Sequence, residues 1–126
     1  SKNAGFSTGQ PWLAVNPNYK AINVQEVLAN PDSIFYTYQK LVQIRKENSW
    51  LIRADFELLE TTDKVFAYIR KDGNRRFLVV ANLSNEEQDL IVEGNIKSVL
   101  IENTAVQEVF EKQILAPWDA FCVELL

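Results

Sequence analysis

The fold is decided by the stretch Lys64-Val-Phe-Ala-Tyr-Ile-Arg70, the turn Lys71-Asp-Gly-Asn74 and the stretch Arg75-Arg-Phe-Leu-Val-Val-Ala81. Two runs rich in β-branched and aromatic residues, joined by a short turn, predict a β-hairpin. The Asp-Gly pair supplies the positive φ angles that tight hairpin turns require. Because Phe77 to Ala81 is apolar at consecutive positions, this run predicts a central strand covered on both faces.

Further extended runs flank this hairpin, at intervals of roughly 8–12 residues with turn residues between them. Such spacing is typical of a sandwich or barrel. The sequence therefore predicts a mainly β fold, an antiparallel β-sandwich of Greek-key type with about seven strands. The candidate strands are Asp55–Glu60, Lys64–Arg70, Arg75–Leu83, Gln88–Glu93, Ile96–Glu102, Glu108–Leu115 and Trp118–Leu126.

Upstream of these strands the pattern changes to a helical period. A short helical turn is predicted over Val24–Ala29, because the residue before Pro31 is pushed out of the helical region. An amphipathic helix is predicted over Ile34–Asn48, with Asp32 and Ser33 as candidate N-cap residues. Its apolar stripe is formed by Ile34, Phe35, Tyr38, Leu41 and Val42.

The composition argues against several kinds of function. The net charge is −4, whereas a nucleic-acid surface needs a clustered basic face. No apolar run approaches the ~18 residues of a membrane helix. The 126 residues include no histidine, which removes the commonest general base and nearly all zinc chemistry. We therefore predict no nucleic-acid partner, no membrane partner, no metal and no cofactor.

The cysteine and methionine counts bear on the compartment of the protein and on whether the chain is a piece of a longer one. Cys122 is the only cysteine, so no disulfide can form within the chain, which suits a reducing cytoplasm. There is no methionine. We therefore expect the chain to be a piece of a longer protein.

Three local features are candidates for chemistry within this chain. Asp119 has the most aromatic context of the acidic residues, but an acid on the outward face of an edge strand shows the same pattern. Cys122 is predicted to be a small core residue, because a cysteine nucleophile would need a histidine. Lys71, Arg75 and Arg76 surround the hairpin turn, as either a solvated tip or a phosphate site.

The segment Ser1–Asn23 has no helical or strand period. It combines aromatic faces with amide groups, a mixture suited to neutral polar ligands such as sugars. The alternative is an anchoring strap, in which Pro11 and Trp12 pin the chain and asparagine side chains cap turns. Composition alone leaves both interpretations open.

Several motifs resemble the α-glucosidase branch of the α-amylase superfamily. They are Asn3-Ala-Gly-Phe-Ser-Thr-Gly-Gln-Pro-Trp12, Val15-Asn-Pro-Asn-Tyr19, Asp55-Phe-Glu-Leu-Leu59, Val80-Ala-Asn-Leu-Ser-Asn85 and Leu115-Ala-Pro-Trp-Asp-Ala-Phe121. The resemblance implies a catalytic (β/α)₈ barrel followed by a C-terminal β-sandwich. Residues 1–50 would then be the tail of the barrel, with its last loop and helix, and residues 51–126 the C-terminal domain.

The family's catalytic aspartates and glutamate lie in motifs that this sequence lacks, so no catalytic residue is assigned to it. The resemblance implies only that Asn3, Gly5 and Phe6 lie near the substrate. It also implies an oligosaccharide substrate for the parent protein and a surface that packs on the catalytic barrel, with self-association of the fragment as a further expectation.

The resemblance points to a cytoplasmic, retaining α-glucosidase acting on α-1,6-linked glucans, of which this chain is a structural, non-catalytic fragment. Its β domain would cover the end of the barrel and bury the apolar stripe of the helix. The alternative is an autonomous carbohydrate-binding or protein-interaction module. That module would use Trp118, Trp50 or Tyr68 as a stacking platform.

Overall fold

The computed structural model describes residues 1–106, 109–110 and 112–126. The chain divides into two compact units, Ser1–Gln43 and Ile44–Leu126. We describe each unit separately.

The N-terminal unit consists of turns and helices. Short 3-10 turns occur at Lys2–Gly5 and Pro17–Lys20. Helix α1 is Val24–Ala29, as predicted, and helix α2 is Ile34–Glu47, one residue shorter than predicted and extending past Gln43. Asn23 caps α1, because its Oδ1 accepts a hydrogen bond from Glu26 N at 3.0 Å.

The apolar stripe of α2 is exposed. Ile34 is 86% exposed and Tyr38 68%, and the other three residues of the stripe are at least 40% exposed. That the β domain buries this stripe stays a prediction. An amphipathic helix needs an apolar partner surface.

The C-terminal unit is built from antiparallel strands, after a 3-10 turn at Ser49–Ile52. Six strands form one sheet in the order β1-β2-β3-β8-β5-β6, and β4 pairs with β7 in a second sheet. The last strand lies between β3 and β5, a non-sequential order that fits Greek-key connections. The strands are β1 Asp55–Leu58, β2 Val65–Asp72, β3 Arg75–Asn82, β4 Gln88–Leu90, β5 Gly94–Glu102, β6 Val109–Phe110, β7 Gln113–Leu115 and β8 Ala120–Leu125.

The predicted mainly β, antiparallel sandwich is confirmed, with one difference in the strands. The predicted strand Glu108–Leu115 is two short strands, β6 and β7, which belong to different sheets. Its first residue, Glu108, and residue 111 within it lie outside the described residues.

The β2–β3 hairpin forms as predicted, but its turn is shifted by one residue. Asp72 pairs with Arg75, so the two loop residues are Gly73 and Asn74. Gly73 takes the positive φ, at 59°. A glycine in the first central position is typical of a hairpin turn that needs only one left-handed residue.

The core lies between the two sheets. Leu78 and Val80 of β3 are 0% and 1% exposed, and Leu90 and Leu115 of the two-stranded sheet are each 2% exposed. These side chains belong to one cluster with alternate residues of β2 and β8. Because side chains alternate along a strand, the residues between them point to the opposite side of the six-stranded sheet.

We call that opposite side the outer face. Pairing places Leu58, Tyr68, Val79 and Cys122 in one row across β1, β2, β3 and β8. Aromatic rings continue it along the strands, with Phe56 and Phe66 centred 5.0 and 5.4 Å from Tyr68. The outer face is apolar yet only partly buried, since Leu58 is 60% exposed and Phe66 46%.

One end of the outer face is covered by the segment that precedes β1. Trp50 stacks on Phe77 with ring centroids 3.8 Å apart and planes at 20°. The Nη2 group of Arg70 donates hydrogen bonds to Leu51 O at 2.8 Å and to Ala54 O at 2.7 Å. Residues 48–54 are thus attached to the sheet, and β3 is covered on both sides at Phe77, as its sequence predicted.

Candidate functional site

The loop that carries the predicted substrate-proximal residues is a left-handed turn. Asn3, Ala4 and Gly5 have φ values of 53°, 56° and 77°. The turn is closed by Phe6 N, which donates to Asn3 O at 3.0 Å. Left-handed φ is cheap for glycine and tolerated by asparagine, but it is costly for alanine because of its Cβ.

The side chain of Asn3 organises this loop. Its Nδ2 group donates to Ser7 O at 2.9 Å and to Gly9 O at 2.8 Å. Since an asparagine amide carries two donors, both are used within the loop. Gly5 has a similar shaping role, because a Cβ at this position would lie 3.2 Å from Ser1 Oγ.

Phe6 differs from its two neighbours because its ring is 81% exposed. The structure thus brings Asn3, Gly5 and Phe6 together in one turn, but only Phe6 presents a large surface outward. Their nearness to a substrate stays a prediction. Nothing in the sequence signals the positive φ of Ala4, because alanine occurs in helices, strands and loops alike.

The next part of the loop is held by asparagine caps, as the strap interpretation predicted. Asn16 Oδ1 accepts from Asn18 N at 3.2 Å, and Asn23 Nδ2 donates to Tyr19 O at 3.1 Å. Trp12 does not pin the chain, since it is 89% exposed. The described caps therefore account for the asparagines, but not for the exposed aromatic rings.

The three residues of the alternative stacking platform do not come together. Trp50 is occupied by its stack on Phe77, and Tyr68 lies between two phenylalanine rings. Trp118 is 60% exposed, but it lies two residues before Ala120, which pairs with Ala81. Phe77 and Ala81 are four residues apart on β3, about 13 Å at the rise of a strand.

Trp118 occupies a tight turn of its own. Its φ is 65°, a genuine outlier for a bulky side chain. Hydrogen bonds hold it there: Trp118 N donates to Ser84 O at 3.2 Å, and Asn103 Nδ2 donates to Trp118 O at 2.8 Å. Asp119 Oδ2 accepts from Ala116 N at 2.6 Å, so this acid closes the turn.

The acidic groups with shifted pKa values are unsuited to general-acid catalysis. Lys71 lowers the pKa of Glu57, and Lys64 lowers that of Glu86. The hydrogen bond from Arg75, together with Lys97, lowers the pKa of Glu124 to about 2. A glycosidase acid needs the opposite, a pKa raised by an apolar site.

The remaining candidates are structural as well. Burial raises the pKa of the Cys122 thiol to about 11, so the thiolate that a nucleophile requires is not formed near neutral pH. At the hairpin, Lys71 pairs with Glu57 and Arg75 with Glu124 at 3.0 Å. Two of the three cations are thus already paired with carboxylates, which favours the solvated tip.

Within residues 1–106, 109–110 and 112–126, no three His, Cys, Asp or Glu side chains are grouped as a metal site would require. In the same residues, no helix has the length and apolar character needed to cross a membrane.

Family comparisons match both parts of the chain. The model of the α-amylase catalytic domain matches residues 1–54, and the model of the C-terminal domain of the α-amylase SusG matches residues 65–119. Both parts of the chain are therefore similar to domains of the α-amylase family. Within that family it matches α-glucosidases.

The relatives are much longer than this chain. It is 89% identical over all 126 residues to glucan 1,6-alpha-glucosidase of Streptococcus pneumoniae serotype 4, of which it spans 24%. It is 41% identical to oligo-1,6-glucosidase of Bacillus cereus, over 97% of the chain and 23% of that protein. The chain thus spans about a quarter of these relatives.

A solved structure extends the likeness to three dimensions. An isomaltulose synthase mutant from Erwinia rhapontici NX5, in complex with D-glucose, superposes with a TM-score of 0.89 at 37% identity. The superposition covers 99% of this chain and 23% of that one.

Proposed function

We propose that this chain is part of a retaining α-glucosidase that hydrolyses α-1,6-glucosidic bonds in isomalto-oligosaccharides and dextran. The observation that carries the proposal is the 89% identity, over the whole chain, to a glucan 1,6-alpha-glucosidase. A retaining enzyme needs a carboxylate nucleophile and a carboxylic acid about 5–5.5 Å apart. The lowered pKa values of Glu57, Glu86 and Glu124 favour a structural role for this part.

In this proposal residues 1–50 complete the catalytic barrel and residues 51–126 form the C-terminal domain. The turn at Asn3, Gly5 and Phe6 lies near the oligosaccharide substrate. The single cysteine and the absence of disulfides among the described residues are compatible with a cytoplasmic enzyme.

The outer face packs on the catalytic barrel of the parent. A monomer rarely leaves a contiguous apolar patch of this kind open to water, and the aromatic rings of Phe56, Phe66 and Tyr68 lie side by side on it. The exposed stripe of α2 requires cover for the same reason. In the isolated chain both surfaces promote self-association, which light scattering would detect.

Activity measurements test the proposal directly. The full-length parent is expected to hydrolyse isomaltose and p-nitrophenyl α-glucoside, and this chain alone is expected to hydrolyse neither. Hydrolysis by the chain alone would overturn its non-catalytic role. Binding of dextran by the chain alone, measured by titration calorimetry, would favour the carbohydrate-binding module instead.

Packing is tested by a matched pair of substitutions. Leu58 on the outer face and Ile114 on β7 are each 60% exposed in this chain. Leu58→Ser is expected to destabilise the full-length parent by about 1–3 kcal/mol, the value of burying one aliphatic side chain. It should leave the isolated chain unchanged, and Ile114→Ser should be neutral in both. Equal effects of Leu58→Ser in the two proteins would exclude a covered outer face.

A further inference from the structure

We propose that residues 48–54, which we call the connector, open locally from the sandwich while its core stays folded, and that Arg75, oriented by Glu124, holds them closed. The connector leads from the end of α2 into β1. All contacts that carry this proposal lie within Ile44–Leu126, and none depends on the proposed function.

The connector is attached to the sandwich by side chains. Its backbone hydrogen bonds are internal, such as those from Arg53 N to Trp50 O at 2.9 Å and from Ala54 N to Trp50 O at 2.8 Å. In the part of the chain that the structure describes, no hydrogen bond between backbone atoms joins the connector to a strand. Its residues are half-buried or exposed. Segments with few buried contacts open at a lower free energy than the core of a protein.

Two attachments join the connector to the sheet. Trp50 stacks on Phe77 with ring centroids 3.8 Å apart, and the Nη2 group of Arg70 donates to Leu51 O and Ala54 O. The second attachment is incomplete, because the Nε atom of Arg70 is buried and has no acceptor among the described residues. A buried donor without an acceptor costs free energy, which hydration recovers when the connector opens. The ring stack carries no such cost.

Arg75 lies over this ring stack. Its Cζ atom is 4.7 Å from the ring centroid of Phe77 and 5.4 Å from that of Trp50. Both distances are within the ~6 Å at which a guanidinium is attracted to an aromatic face. The cation thus interacts with one ring of the sheet and one ring of the connector. Because opening separates Trp50 from Arg75, this interaction favours the closed connector.

Glu124 fixes the orientation of Arg75. The guanidinium donates through Nε to Oε1 of the carboxylate at 3.0 Å and through Nη2 to Oε2 at 3.4 Å, a two-point geometry that sets its plane. Lys97 donates to the same Oε1 at 3.0 Å, and Ser98 Oγ to Oε2 at 3.5 Å. Among the described residues, these partners of the carboxylate all lie on the sheet. Glu124 therefore acts on the connector through Arg75.

Native-state hydrogen exchange of the whole 126-residue chain tests local opening. The amides of Leu51, Arg53 and Ala54, which donate within the connector, are compared with those of the central strand β3 at increasing, non-denaturing urea concentrations. We expect the connector amides to exchange about tenfold faster or more. Their rates should be nearly independent of urea, because local opening exposes little surface, whereas β3 amides should respond steeply. The same urea dependence in both places would overturn local opening.

Arg75→Ala and Lys97→Ala form a matched pair. Each removes a half-exposed cation that lies 3.0 Å from the same oxygen of Glu124, but only Arg75 also lies over Trp50. Arg75→Ala is expected to raise the exchange rates of the connector amides about fivefold, which corresponds to one exposed cation–π contact. Lys97→Ala should leave these rates at the wild-type values, because its ion pair persists when the connector opens.

Glu124→Gln tests the orienting role of the carboxylate. Glutamine keeps the shape and one acceptor oxygen but loses the charge-assisted, two-point geometry, so the connector amides should exchange about threefold faster. An unchanged rate in this variant would overturn the role of Glu124. An unchanged rate in Arg75→Ala, or an equal rise in Lys97→Ala, would overturn that of Arg75. If Arg75→Ala does not fold, Arg75→Lys, which keeps the charge without the planar fork, replaces it with an expected rise of about twofold.

Discussion

The two units of the chain use their apolar residues in opposite ways. In Ser1–Gln43, all of which the structure describes, no residue is buried, and Phe6, Trp12 and Ile34 are more than 80% exposed. In Ile44–Leu126, side chains from both sheets meet in one closed core. Hydrophobic burial is the main favourable term in folding. The sandwich therefore has a buried core that stabilises it, whereas the N-terminal unit has no buried residue to do so.

The largest expected effect is obtained by separating the units. Residues 44–126 alone are expected to unfold in one cooperative transition, because they contain the whole buried core. Residues 1–43 alone should show no such transition, since isolated helices of this length are marginal in water. Circular dichroism during heating measures both.

Two outcomes of these melting experiments would contradict the expectation. Cooperative melting of residues 1–43 would contradict this difference between the units, because it would require a buried core, and no residue of this unit is buried. Failure of residues 44–126 to fold would mean that the sandwich depends on the N-terminal unit.

Two leucine substitutions, one in each unit, test whether only the sandwich has a buried core. Leu78 in the sandwich is 0% exposed, and Leu41 on the stripe of α2 is 45% exposed. Leu78→Ala should lower the free energy of unfolding by about 3–4 kcal/mol, because it leaves a cavity in the core. Leu41→Ala should change it by less than about 0.5 kcal/mol in this chain. Urea denaturation compares them, and similar losses would contradict the assignment of one core.

The sequence predicted the elements that depend on local pattern. Both helices and the β2–β3 hairpin follow from periodicity and turn residues, and the central position of β3 follows from the consecutive apolar residues Phe77 to Ala81. The break in the predicted strand Glu108–Leu115 did not follow, because β6 pairs with β5 in one sheet and β7 with β4 in the other. Strand propensity does not encode which sheet a segment joins.

The candidate site was predictable in composition but not in geometry. The exposed rings and amides of the N-terminal loop are visible in the sequence, whereas the strain at Ala4 and the two bonds of Asn3 are not. The structural role of Asn82 in the sandwich is likewise not visible in the sequence. Its motif Val80–Asn85 looks like an ordinary turn, yet the residue is 2% exposed.

Asn82 offers a third test, in which a polar group stabilises the sandwich. Its Nδ2 donates to Glu86 O at 2.8 Å and to Ala116 O at 2.9 Å, and its Oδ1 accepts from Ser84 Oγ at 2.8 Å. Asn82→Ala should cost about 2–3 kcal/mol, because buried partners lose their hydrogen bonds. The exposed Asn85→Ala is the control and should be nearly neutral. A neutral Asn82→Ala would show that water replaces the side chain.

The smallest effect depends on pH and concerns Glu124. Its carboxyl group is 8% exposed and pairs with Arg75 and Lys97, each at 3.0 Å. These partners lower its pKa from 4.5 to about 2 in the folded protein. A lowered folded pKa means that the stabilisation is fully present above pH 4.5 and is lost as the pH falls towards 2.

Glu124→Gln does not titrate, so the stability difference between wild type and variant should fall with pH across that window. At pH 7 we expect a difference of about 1–2 kcal/mol, less than the full pKa shift implies, because Arg75 and Lys97 are themselves half-exposed and screened. Glu86→Gln, which removes the exposed pair with Lys64, is the control and should show a much weaker pH dependence. Urea denaturation at pH 7, 5, 4 and 3 measures both series. A stability difference between wild type and Glu124→Gln that stays constant from pH 7 to pH 3 would contradict the lowered pKa of Glu124. The carboxylate would then gain no stabilisation from Arg75 and Lys97 in the folded protein.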